Sequence, residues 1–222
     1  MKAKLFLEAI AKFLLGVLLV GAMLFLPGTW GYGHGWLLMG LLFGPMAVAG
    51  LVMLFKDPRL LQSRLSAKEK QKEQSLVVKL SGLMFMAGFL LAGFGYRLGW
   101  YLLPRPAVIT GAVIFLVAYG LYAEVLRENT WLSRTVSVQA GQQVLDRGLY
   151  GLVRHPMYFA TVLLFLAMPL VLGSLYAFLV FLAYPVIIVF RIRHEEAFLE
   201  QELPGYREYK QRVKYRLLPF IW

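Results

Sequence analysis

The chain contains no cysteine. That excludes disulfides, thiolate nucleophiles, cysteine-ligated zinc and iron–sulfur clusters. Histidine is almost as scarce. His34, His155 and His194 are the only three, they lie far apart, and no His-Glu-x-x-His pair occurs, so no metal site is expected. Charged residues make up only 16% of the chain against 59% hydrophobic, which is not the composition of a soluble domain. The glycine-rich fingerprint of a Rossmann dinucleotide site is also missing. Any cofactor would have to be held by helices and loops.

What fills the chain instead is a series of apolar runs, each near 20 residues, the length that crosses a bilayer as a helix. They cover residues 9–26, 36–55, 76–94, 107–126, 156–172 and 174–190. The reading is all-α: a polytopic membrane helical bundle of about six spans, with a C-terminal helical hairpin joined at Gly173-Ser174 and a polar tail. The first run is too long for a simple signal peptide and lacks a small-residue cleavage site. Residues 127–154 are too polar to span and read as a re-entrant or surface-lying segment. The basic stretch 56–79 reads as a solvated loop with a short amphipathic helix on the headgroups.

The net charge of +11 would suit nucleic acid, but its distribution does not. Of the 23 lysines and arginines, all but Arg97 and Arg105 fall at one set of run ends. The positive-inside rule then places both termini and the polar tail in the cytoplasm. Membrane lipids are the expected neighbours, with no nucleic acid and no metal.

The stretch with most chemistry is Gly148 to Tyr158. Arg154 and His155 precede Pro156, which suits the first turn of a helix because it has no N–H to leave unpaired. Such an N-terminus offers orphan donors and a positive dipole end to a carboxylate or phosphate. A second cluster follows the last apolar run. Arg191 and Glu195 stand four residues apart on one helical face, with Glu196 beside them. The hairpin returns both clusters to the same membrane surface, where they can form one pocket. A plain structural reading stays open for each: Arg154 as an anchor, His155 as an interfacial residue, Arg191 and Glu195 as a surface ion pair. In the tail, Tyr206, Tyr209 and Arg216 read either as a membrane-facing amphipathic helix or as a lid that stacks on a flat ring.

At these residues the chain resembles the isoprenylcysteine carboxyl methyltransferases and their relatives, the phospholipid methyltransferases. The shared pattern is Val144-Leu145, Gly148, Tyr150, Arg154-His155-Pro156-x-Tyr158, Arg191-x-x-x-Glu195-Glu196-x-x-Leu199, Gly205-Tyr206-x-x-Tyr209, Val213 and Leu218-Pro219, all within residues 128–222. Asp57-Pro58 to Arg64 resembles a loop of bacterial members, and Ala160 stands where the family often has glycine. The resemblance implies S-adenosyl-L-methionine as cofactor, with Val144, Leu145, Tyr150, His155, Pro156, Met157, Tyr158 and Glu195 in cofactor positions. It puts Arg191 in a position tied to the substrate. Glu196 is the candidate base should the acceptor need one. Residues 128–222 are then the cofactor-binding region, and residues 1–127 a transmembrane bundle expected to shape the pocket for a lipid-like or amphiphilic acceptor. Two alternatives stand beside this reading. Some membrane sterol reductases resemble the family in the same region while binding NADPH, and a non-enzymatic lipid-binding factor could keep the fold.

Overall fold

The computed structural model describes residues 2–65, 72–132 and 136–222. Lys68 and Lys70 of the basic loop, and Ser133-Arg134 of the polar segment, lie outside the described residues. The described chain is helical: α1 (Lys2–Phe25), α2 (Gly33–Lys56), α3 (Pro58–Leu65), α4 (Lys72–Arg97), α5 (Arg105–Glu128), α6 (Pro156–Val171), α7 (Leu175–Phe181), α8 (Ala183–Glu202) and α9 (Tyr206–Arg212). A 3-10 turn at Gly148–Gly151 precedes α6.

Large apolar side chains point outward on most of the long helices, among them Leu18, Val48, Ile109 and Leu179. Such a surface is stable against lipid rather than water. Inside, one apolar core runs through the bundle, with Leu24, Phe89, Phe115, Leu172, Phe181 and Ile188 at its centre. Glycines let neighbouring helices approach closely at two contacts in this core. A Cβ on Gly111 of α5 would lie 2.6 Å from Cβ of Leu170 in α6, and one on Gly88 of α4 would run into the ring of Phe181 in α7.

Among the described residues, five helical stretches are long and apolar enough to cross a membrane: Lys4–Phe25, Gly33–Lys56, Ser75–Arg97, Arg105–Glu128 and Leu175–Glu202. Two features of the expected sixth-span arrangement change. Helix α6 has 16 residues, about 24 Å at 1.5 Å per residue, short of a hydrocarbon core of about 30 Å. The last span is broken between α7 and α8. Pro185 has no N–H to offer the carbonyl of Phe181, and its ring crowds that carbonyl, which favours the interruption at Leu182. The hairpin itself forms as expected, turning at Gly173, whose φ of +64° suits glycine.

The three tight connections meet at one end of the bundle. Tyr32 donates a hydrogen bond to the Leu172 carbonyl and stacks on Tyr96. Tyr96 donates to the Gly31 carbonyl, and the Leu103 amide to that of Gly173. Arg97 and Arg105 sit at this end. The start of α6, the outer part of α8 and α9 gather at the opposite one.

Candidate functional site

Arg154 is the joint on which the opposite end is built. Its side chain is almost fully buried. Nε donates to Glu196 Oε1 at 2.6 Å, and one terminal nitrogen donates to the carbonyls of Val213 and Lys214 at 2.7 and 2.9 Å. The backbone amides of Arg154 and His155 donate to the carbonyls of Tyr215 and Arg216. The C-terminal tail is thereby laid along the entrance of α6. Arg154 is a structural clamp of this surface as well as part of its lining.

Glu196 gathers the remaining cations. Besides Arg154, it faces His155 Nε2 at 3.2 Å, Arg216 Nε at 2.8 Å and Lys210 Nζ at 3.9 Å. It is 2% exposed. A carboxylate so enclosed has its lone pairs taken up by fixed charges and none to spare for a proton from an acceptor. Glu196 is the ionic centre that ties α6, α8, α9 and the tail together.

Its neighbour Glu195 faces the other way, into a cleft. Tyr158 of α6 donates its hydroxyl hydrogen to Glu195 Oε2 and accepts one from Arg191 Nε at 2.7 Å. The Arg191 guanidinium lies 5.6 Å from the Tyr158 ring centre, and the His155 ring stacks with that of Tyr158 at 5.6 Å. Arg191 and Glu195 are thus joined through a tyrosine from the facing helix.

Among the described residues, those lining the cleft run from Asn129 to Tyr209. Val144, Leu145, Tyr150, His155, Met157, Tyr158, Arg191 and Glu195 all line it. Pro156 and Glu196 do not; Pro156 is buried and starts the helix. Among the described residues of 1–127, none lines the cleft. Sequence reasoning missed Asn129, Trp131, Gln142, Gln143, Leu199 and Leu203, all at the cleft wall. Amides at 129, 142 and 143 in so apolar a chain were the available signal.

The wall opposite α8 is braced from below. Asn129 donates to the Tyr150 hydroxyl at 2.9 Å, and Tyr209 donates to the Tyr150 carbonyl at 2.7 Å. Glu128 accepts from the Leu149 amide, which requires Gly148: its φ is +57°, and a Cβ there would overlap the Glu128 carboxylate. Arg212 pairs with Asp146 at 2.8 Å. Tyr206 and Tyr209 are 4% and 2% exposed and pack with Leu203 and Val213. They form a fixed wall, neither a membrane-facing stripe nor a loose lid. Burial pushes the Tyr150 and Tyr209 hydroxyls well above the ordinary phenol range, so both stay protonated.

Residues 106–204, which span α5 to the end of α8 and hold nearly all of this lining, match the family model described as PEMT, phospholipid methyltransferase. That match covers just under half of the chain, so the likeness to the family is that of this segment. The resemblance read from residues 144–219 thus holds over residues 144–204, the part that the match covers. The chain is also similar to part of Delta(14)-sterol reductase TM7SF2 of Mus musculus. The two are 32% identical over 91 residues, covering 40% of this chain and 22% of that protein. The chain therefore matches only about a fifth of that relative's length. Among the described residues, no group of three or more metal-ligating side chains comes together.

Proposed function

We propose that this membrane protein transfers a methyl group from S-adenosyl-L-methionine to a lipid-like or amphiphilic acceptor, with a carboxylate as the favoured nucleophile. The observation that carries the proposal is the cleft in which Glu195, Tyr158 and Arg191 meet, set within the phospholipid methyltransferase segment. Its lining combines apolar walls with one carboxylate and several donors. That donor set fits a molecule with an amino-acid end and a flat ring.

In this reading Glu195 uses the oxygen not engaged by Tyr158 to accept from the ligand's ammonium. Val144, Leu145, Tyr150, His155, Met157 and Tyr158 form the wall for the rest of the cofactor. Pro156 acts indirectly, by starting α6 where His155 must stand. When bound, the cofactor supplies a methyl group on a sulfonium, open to in-line displacement. Arg191 aims the acceptor, and its planar fork suits a carboxylate. Since Glu196 is enclosed by cations, the cleft provides no spare base. An acceptor carboxylate needs none, being ionised near pH 7. Orientation and exclusion of water then supply the acceleration.

The acceptor side is assigned to residues 1–127. Arg64 of α3 supports this: it donates to the Tyr122 hydroxyl of α5, while its Nη1 is buried with no partner among the described residues. The cytoplasmic side is assigned to the cleft end and both termini, supported by the basic asymmetry.

The match to a sterol reductase favours a second reading, an NADPH-dependent reductase. Titration calorimetry of the detergent-purified protein with S-adenosyl-L-methionine and with NADPH separates the two. Binding of the first and not the second is expected. The reverse result would overturn the methyltransferase reading, and binding of neither would favour a non-enzymatic role.

A further inference from the structure

We infer that the Tyr206 hydroxyl is a ligand-binding group of the cleft, holding the amino-acid end of the methyl donor. The inference rests on the cofactor reading above.

Tyr206 opens α9 directly after Gly205, whose φ of +84° turns the chain sharply out of α8. The turn lays the Tyr206 ring against Leu203 and Tyr209, and the residue is 4% exposed. It lines the cleft beside Glu195. Yet its hydroxyl is buried with no hydrogen-bond partner among the described residues. Every other tyrosine discussed at this surface has one: Tyr150 with Asn129, Tyr158 with Glu195 and Arg191, Tyr209 with the Tyr150 carbonyl. A buried hydroxyl without a partner is costly, and phenylalanine would fill the same space without that cost. The group makes sense if a ligand completes it.

The surroundings say which part of the ligand. The charges acting on the hydroxyl are those of Glu196, Glu195 and Arg154. Burial first, then the two carboxylates, push its ionisation above the ordinary phenol range, so it remains a protonated donor. A ligand carboxylate can accept from it while the adjacent ammonium donates to Glu195. The two protein groups would then hold one zwitterionic end between α8 and α9.

The test is Tyr206→Phe with Tyr209→Phe as comparison, followed by calorimetry and thermal unfolding in detergent. Two probes are used: S-adenosylhomocysteine, which has the amino-acid end, and 5′-methylthioadenosine, which lacks it. Tyr206→Phe is expected to keep or raise the ligand-free melting temperature, since only an unpaired hydroxyl is lost. It should weaken S-adenosylhomocysteine about tenfold, the worth of one good hydrogen bond, and leave 5′-methylthioadenosine unchanged. Tyr209→Phe should instead lower the melting temperature. Unchanged S-adenosylhomocysteine affinity in Tyr206→Phe overturns the inference while leaving the cofactor reading intact. Equal loss for both probes overturns the placement at the amino-acid end. If the unaltered protein binds neither probe, the cofactor reading fails and takes the inference with it.

Discussion

Replacing Glu196 by glutamine separates a scaffold from a catalyst. In the structure its two oxygens accept from Arg154 and Arg216 and face His155, with Arg154 itself 6% exposed. Glutamine keeps one oxygen but turns the other position into an NH2 group, a donor aimed at donors. Breaking one side of a buried ion pair costs about 3–5 kcal/mol because the other charge stays buried. One retained oxygen and the half-exposed Arg216 argue for the lower end, about 3 kcal/mol. For a chain of 222 residues, each kcal/mol moves the melting temperature by about 2–4 °C, so a fall of about 6–12 °C is expected. Thermal unfolding in detergent measures it. Well below that temperature, the folded fraction should bind S-adenosyl-L-methionine with nearly unaltered affinity, because Glu196 does not line the cleft. A variant with the melting temperature of the parent would refute the reasoning. If such a variant also lost turnover selectively, Glu196 would act as a base.

Glu195→Gln should chiefly weaken cofactor binding, about tenfold or more, whereas Arg191→Lys should leave that affinity nearly intact and depress turnover, since lysine loses the planar fork; calorimetry beside methyl-transfer assays checks both, and coinciding profiles would reduce the pair to scaffolding. Gly148→Ala should lower both the melting temperature and cofactor affinity, because the left-handed backbone and the overlap with Glu128 displace the turn that carries Tyr150; unfolding and titration curves matching the parent would sink this. A reporter fused after Trp222 should give a cytoplasmic signal, as the basic residues at the cleft end require, and a clear external signal would contradict it.

The fold was legible in the sequence where composition alone decides it. Apolar runs of bilayer length give helices whatever their neighbours, so the long helices stand where the runs do. The break before α8 was written in Pro185 but hidden by the unbroken hydropathy around it. The shortness of α6 was likewise masked, because Pro156 and Gly173 bound a run that reads as apolar throughout.

The candidate site was legible as a pair of clusters, and less so as an arrangement. Helical spacing identifies neighbours on one helix, which is why Arg191 and Glu195 could be placed on a common face. It is silent on what a facing helix inserts between them, and the Tyr158 hydroxyl is what joins them. The same limit explains Glu195 and Glu196. Successive residues on a helix point about 100° apart at 3.6 residues per turn, so two adjacent carboxylates must meet different surroundings. Which one meets the cleft depends on where the tail lies. The tail is held by backbone bonds from Arg154 and His155 to residues 215 and 216, a contact between segments some 60 positions apart that no local pattern encodes. Once that strand of tail is in place, Arg216 reaches Glu196 and closes it off, and Glu195 is left as the carboxylate that a ligand can use.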